Sequence, residues 1–467
     1  MKLKLVVASM SILGLISCPA SAAYAKKKHH HKMMKQQMAQ RDYKDYKDMG
    51  NMQPAPEVCT IPASAITMVE MTQNMGRSLP NPCNPGWFNR ILVSGGINVD
   101  LGHWGNRNAN FMGENYQAIS LNDAYLNIGA MVNDWTRAFA SLSFSNPTTN
   151  VNPSIFNSVG AAEYSAAYTN NINGNANNVI QLEQAYATLG NFDVSPVFVQ
   201  VGKQFQDFGR YEIHPITASL TQVMSEVLST SVKLGFLYSG FHGSLYAFDD
   251  PINKVGQSSQ PTNYGVALGY DQVSDQLGFD LGAAYLYNII GANDVAYSVV
   301  NFTGSNYNSR VGGYALYADV NSGPFSLGAR WTAVSSKFNV NDMTRNGNID
   351  LTAASAVIGS GTAITPAASA SGARPWAFGI QAGYGFDVWS KNQNIYVGYQ
   401  TSSQAAGLNL PQTRWLAGYN VDVWKSPNMG TTNLGAEWDH DNAFKVSNGG
   451  SGNVTNLVSL RITTKFG

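Results

Sequence analysis

From residue 88 onward, apolar and polar positions alternate with a period of two, the spacing of a β-strand that turns one face to an apolar medium and the other to water. In the first such segment Ile91, Val93, Gly95, Ile97, Val99 and Leu101 share one face, and Arg90, Ser94, Asn98 and Asp100 share the other. Trp376, Phe378, Ile380, Ala382, Tyr384, Phe386 and Val388 form a second apolar row, and Trp415, Ala417, Tyr419, Val421 and Val423 a third. Counting segments of this kind gives sixteen: 88–102, 117–132, 135–146, 178–190, 196–203, 230–238, 241–249, 263–271, 276–288, 311–321, 324–337, 375–389, 393–402, 412–424, 429–439 and 455–466.

The connections alternate in length. Asn133-Asp134, Ser239-Gly240, Asn321 to Gly323, Ser390 to Asn392 and Lys425 to Asn428 are tight, whereas residues 147–177 and 338–374 make the longest loops and are rich in Asn, Ser, Ala and Gly, as exposed outer loops are. Short turns on one side and long loops on the other, with an even strand count, predict an all-β fold: a transmembrane antiparallel up-and-down β-barrel of about sixteen strands. Charges test the assignment, because the faces were set from apolar residues alone. Arg90 with Asp100, Arg414 with Asp422, and Arg461 with Lys465 each fall opposite their strand's apolar row. A Lys or Arg facing lipid at the midplane costs about 2–4 kcal/mol, and one facing a watery lumen costs little. Trp87, Trp135, Trp331, Trp389, Trp424 and Trp438 gather near strand ends, the placement of an interfacial aromatic girdle.

Composition agrees. Hydrophobic residues make up 44% and charged residues only 12%, yet beyond residue 25 no apolar run approaches the roughly 20 residues of a membrane helix. Lys+Arg and Asp+Glu both number 29, so no net field marks nucleic acid as a partner. The start, a basic Met1–Lys4, an apolar Leu5–Ile16 and the A-x-A sites Ala20-Ser21-Ala22 and Ala23-Tyr24-Ala25, reads as a cleaved secretory signal over 1–25, and hence export to the outer membrane. Leu15-Ile16-Ser17-Cys18 has the look of a lipidation site, opposed by Pro19 and by the better A-x-A sites. Residues 26–87 are expected to be a periplasmic extension; its Lys- and His-rich first half cannot bury a core, and three successive histidines on such an arm seldom close a metal site. Cys59 and Cys83 would be the two cysteines of the mature chain, which an oxidising periplasm pairs at a gain of about 3 kcal/mol. The alternative is two free thiols.

Two segments echo each other, Leu121-Asn122-Asp123-Ala124-Tyr125-Leu126-Asn127-Ile128-Gly129 and Leu182-Glu183-Gln184-Ala185-Tyr186-Ala187-Thr188-Leu189-Gly190. With Val201-Gly202-Lys203-Gln204-Phe205 and the final Leu460 to Phe466, they resemble Gram-negative sixteen-stranded porins, and most closely an uncharacterised outer-membrane barrel family of intracellular gammaproteobacteria; the likeness covers residues 88–467. In that group the last residue is usually Phe, whereas here Gly467 follows Phe466. The resemblance implies a homotrimer in outer-membrane lipid and lipopolysaccharide, with the third outer loop, 204–229, folded inward. That loop carries Asp207, Arg210, Glu212, His214 and Glu226, and Ser219–Leu228 suits a short helix. Two readings stand: a mixed-charge constriction that sets a transverse field, or side chains that solvate an outer loop.

A sixteen-stranded barrel is wide enough for an aqueous channel, so passive diffusion of small hydrophilic solutes or ions is the expected function. The predicted inward residues are Arg90, Arg137, Lys233, Arg330, Arg414, Arg461 and Lys465, against Asp100, Asp123, Asp280, Asp319, Asp387, Asp422 and Glu437. No cofactor or metal motif is present and no enzymatic activity is expected: His242-Gly243-Ser244 puts a His and a Ser on one strand face, but neighbours at i and i+2 share a face by default, and this parity points into the lumen. The alternative function is an adhesin or structural barrel acting through its loops.

Overall fold

The computed structural model describes residues 91–105, 116–145, 179–192, 194–210, 216–257, 262–272, 277–303, 306–345, 371–426 and 430–466. The expected signal segment, the extension 26–87, Cys18, Cys59, Cys83, Trp87, Arg90, Glu212 and His214 lie outside them. Sixteen strands close into a single antiparallel barrel in sequence order, with β1 pairing β16. They are β1 (Ile91–Gly105), β2 (Tyr116–Met131), β3 (Thr136–Ser145), β4 (Val179–Leu189), β5 (Val197–Phe205), β6 (Leu228–Tyr238), β7 (Phe241–Phe248) and β8 (Asn263–Gln272). The second half comprises β9 (Gly278–Leu286), β10 (Gly313–Ser322), β11 (Phe325–Val334), β12 (Trp376–Val388), β13 (Lys391–Ser403), β14 (Thr413–Ser426), β15 (Gly430–Asn442) and β16 (Val454–Phe466). Each overlaps one of the sixteen predicted segments. No described helix is long and apolar enough to cross a membrane; strands do the crossing.

The two faces separate as the alternation requires. Outward residues such as Val201, Val232, Leu245, Leu268, Val397 and Val458 are exposed, while inward Ser94, Gln200, Lys233, Arg330, Gln400 and Ser459 are buried. Such an inversion of ordinary burial would be ruinous in water and is what a bilayer requires. Of the tryptophans expected in a girdle, Trp135, Trp389, Trp424 and Trp438 are exposed at the surface.

The echoing segments have a structural cause. Asn98 pairs with Asp123 and Val99 with Leu121, leaving Asn122 as a bulge in β2; Ser141 pairs with Gln184 and Leu142 with Leu182, leaving Glu183 as a bulge in β4. The extra residue falls second in both motifs. It lets Leu and the following Ala face outward together although two residues separate them, and it turns Tyr125 and Tyr186 inward, where both are buried. A third bulge falls at Val423 of β14.

The long-loop end is where the structure departs from the expectation of exposed loops. Helix α1 (Leu220–Ser225), capped by Ser219 Oγ, lies within the predicted helical stretch; helix α2 (Asn293–Thr303), between β9 and β10, was not foreseen. Phe208, Leu220, Val223 and Met224 pack with Ile289, Ile290, Val295 and Val299, and with Phe338, Met343, Leu408, Leu410 and Phe444, in one apolar cluster drawn from five loops. Each such side chain contributes about 1.5–3 kcal/mol on full burial. Polar clips join the same segments: Asp342 accepts from Asn308 N and Nδ2, both at 2.7 Å, and Asp250 accepts from Asn263, Asn288 and Tyr307. The described part of 338–374 is therefore partly interior, because its Phe338, Met343 and Ala373 complete this core.

Candidate functional site

Residues 206–210, which follow β5, lie against the inner wall of the barrel. Asp207 Oδ1 pairs with Lys233 Nζ of β6 at 3.0 Å, and its Oδ2 accepts from Ser244 Oγ of β7 at 2.5 Å. Arg210 Nη2 reaches Asp280 Oδ2 of β9 at 3.0 Å, and its guanidinium lies 5.0 Å from the centre of the Tyr317 ring on β10. The loop next appears against β13–β15. Ile216 N donates to Glu437 Oε2 at 2.7 Å, and Thr217 N and Oγ1 donate to Glu437 Oε1, both at 2.8 Å. Tyr396 OH of β13 adds a fourth donor at 2.8 Å. Above this latch Arg414 Nη1 donates to Ala218 O at 2.9 Å while its Nε and Nη2 hold Asp441, and Leu220 N donates to Gln400 Oε1 at 2.9 Å.

The described parts of the loop are therefore held at two places on the inner wall, Asp207 and Arg210 on β6–β10 and residues 216–220 on β13–β15. Charge-assisted bonds of this kind are worth about 1.5–3 kcal/mol each, so the Glu437 latch holds the segment firmly. Glu226, the third described charge of the loop, is buried beside α2: Gln222 Nε2 donates to its Oε2 at 2.9 Å, and Asn293 N donates to its backbone oxygen.

The pore-lining assignments fall into three groups. Lys233, Asp280, Arg414 and Glu437 bind the loop. Asp319 pairs with Arg330 at 2.8 Å and Asp100 with Arg461 at 2.6 Å, ion pairs within the wall. Arg137, Asp387, Asp422 and Lys465 sit at inward register positions, with Asp422 Oδ1 accepting from Asn433; Asp123 pairs with Asn98 in the ladder. Arginine and aspartate thus alternate along the wall as partners, and the sequence could give their facing but not their pairing. Tyr317, Tyr396 and Gln400 carried no signal that would have singled them out. Of the His-x-Ser pair, Ser244 bonds to Asp207 and His242 to Tyr317 OH at 3.0 Å, so the two engage different partners.

A closed sixteen-stranded barrel with an outward apolar face, a polar wall and an inward-folded third loop defines a porin-like β-barrel. Its curated relatives are UPF0422 proteins of intracellular gammaproteobacteria: one of Coxiella burnetii is 26% identical over 264 residues, 56% of this chain and 50% of that protein. One of Legionella pneumophila (strain Paris) is 21% identical over 330 residues, 66% of this chain and 52% of its own length. The chain spans about half the length of the curated relatives it matches. No protein-family model matches it. Among solved structures the outer membrane channel DcaP of Acinetobacter baumannii superposes with a TM-score of 0.50 at 12% identity, covering 80% of this chain and 97% of that one; at that identity the likeness concerns the fold.

Proposed function

We propose that this protein is an outer-membrane channel through which small hydrophilic solutes or ions diffuse, with loop 206–227 as its constriction. The observation that carries the reading is the loop's pair of anchors on the inner wall: it is tied by its backbone to Glu437 of β15 and by Arg210 to Asp280 of β9, so a solute would pass beside it. Asp207, Arg210 and the wall pairs would line that passage. Export through a cleaved signal, a Cys59–Cys83 disulfide in a periplasmic 26–87 segment, contact with lipopolysaccharide and assembly as a homotrimer belong to the same proposal, as does the absence of catalysis.

The five-loop apolar cluster favours a second reading, an adhesin or structural barrel whose rigid outer cap is the working surface. Liposome swelling separates the two. Vesicles containing the refolded protein should admit neutral sugars at rates that fall steeply with size; vesicles with correctly inserted barrels that admit none would favour the cap.

A further inference from the structure

Three aspartates lie at one level of the inner wall near the short-turn end. Asp280 of β9 is directly opposite Asp271 of β8 on one side and Asp319 of β10 on the other. Like charges placed directly opposite on neighbouring strands repel, so such a row needs cations. Asp319 has Arg330 at 2.8 Å and Asp280 has Arg210 at 3.0 Å. The third, Asp271, faces His242 of β7, whose Nδ1 stands 3.9 Å from its Oδ1.

The imidazole is seated for this position. Its Nε2 meets Tyr317 OH at 3.0 Å and stands 4.0 Å from Asp280 Oδ1. Gly269 and Gly282 fill the wall between His242 and Tyr317, and a Cβ on Gly269 would come within 2.2 Å of His242 Nε2, as one on Gly282 would of the Tyr317 ring. The charged and titratable groups that face His242 are therefore Asp271, Asp280 and Tyr317, with Arg210 beyond Asp280. Side-chain exposures of 21% for His242 and 37% for Asp271 leave both open to lumen water.

Three carboxylates against two guanidiniums leave one negative charge when the imidazole is neutral and none once it takes up a proton. Histidine is the side chain whose charge ordinarily changes between pH 5 and 8. We propose that His242 is the titratable counter-ion of this row and sets the pore's preference between cations and anions according to pH, so that cations are favoured in neutral and alkaline solution and the preference is relaxed in acid. This rests on the channel reading.

The test is the reversal potential of the full refolded chain in a planar bilayer under a KCl gradient, at pH 8 and pH 5. A unit charge about 6 Å from a passing ion in water changes its local occupancy roughly threefold, in opposite directions for cations and anions, so the cation-to-anion permeability ratio should fall by up to about tenfold on acidification. H242Q should keep the high ratio and H242K the low one at both pH values, and the two variants carry the test independently. Conducting channels whose ratio does not move with pH, or moves equally in both variants, would overturn the assignment while leaving the channel standing; absence of conductance in every protein would overturn both.

Discussion

Replacing Glu437 with Gln changes almost no volume and removes one charge, so its effect isolates the latch. The carboxylate has two oxygens and receives two donors on each: Ile216 N and Tyr396 OH on Oε2, Thr217 N and Oγ1 on Oε1. In the amide one of those positions becomes an NH2. The hydroxyl of Tyr396 or Thr217 can rotate and accept from it, but a backbone N–H cannot, so one peptide donor is left facing a donor inside a buried site. That costs about 1–3 kcal/mol, and reducing the remaining charge-assisted bonds to neutral ones costs on the order of 1 kcal/mol more for each of two. The sum, about 3–5 kcal/mol, raises the detached fraction of segment 216–218 by roughly two to three and a half powers of ten, at 1.4 kcal/mol per tenfold. Arg414 and Gln400 still hold the neighbouring residues, so partial excursions are expected and not loss of the loop. In single-channel recordings E437Q should give noisier current of higher mean conductance than the parent chain. Traces of E437Q with parental conductance and noise, from a properly folded barrel, would refute the latch.

Two other outcomes follow from the same contacts. Burial, and then the neighbouring Glu226 carboxylate, push the Asp294 carboxyl well above the usual carboxylate range; because the folded state holds this proton more tightly, its contribution to cap stability is complete below the ordinary carboxylate pKa and is lost as pH rises through the raised folded value. Hydrogen exchange of α1 and α2 should therefore be slower in acid after correction for intrinsic rates, Asp294→Asn should flatten that dependence, and protection that grows with pH would contradict it. Gly282→Ala puts a Cβ 2.2 Å from the Tyr317 ring, so the ring must shift at about 1–3 kcal/mol and Arg210 lose its stacking surface; an unchanged thermal midpoint and unchanged conductance would count against the packing described.

The barrel was legible because strand alternation is a local property: Ile97 and Leu101 are exposed on the outer face, while Asn98 and Asp100 are buried on the inner one. The bulges at Asn122 and Glu183 were present in the sequence as a repeat, but their meaning depends on pairing with β1 and β3 and so could not be read from one strand. The loop course was harder. Asp207 and Arg210 could be marked as charges on a third loop, whereas their partners Lys233, Asp280 and Tyr317 lie on three other strands and meet them only once the barrel closes. The apolar cap was missed because Ile289, Val295, Phe338 and Leu408 sit in segments without strand period and far apart in sequence; Val295 and Val299 at i and i+4 were the available hint of α2.

The most direct test of the account is planar-bilayer conductance of the refolded chain alongside Arg210→Ala, which frees one anchor of loop 206–227 and exposes Asp280. Steady nanosiemens-scale steps, with the variant altered in conductance and shifted toward cations, are the predicted result. Correctly inserted barrels that pass no current would contradict it and transfer the function to the outer cap.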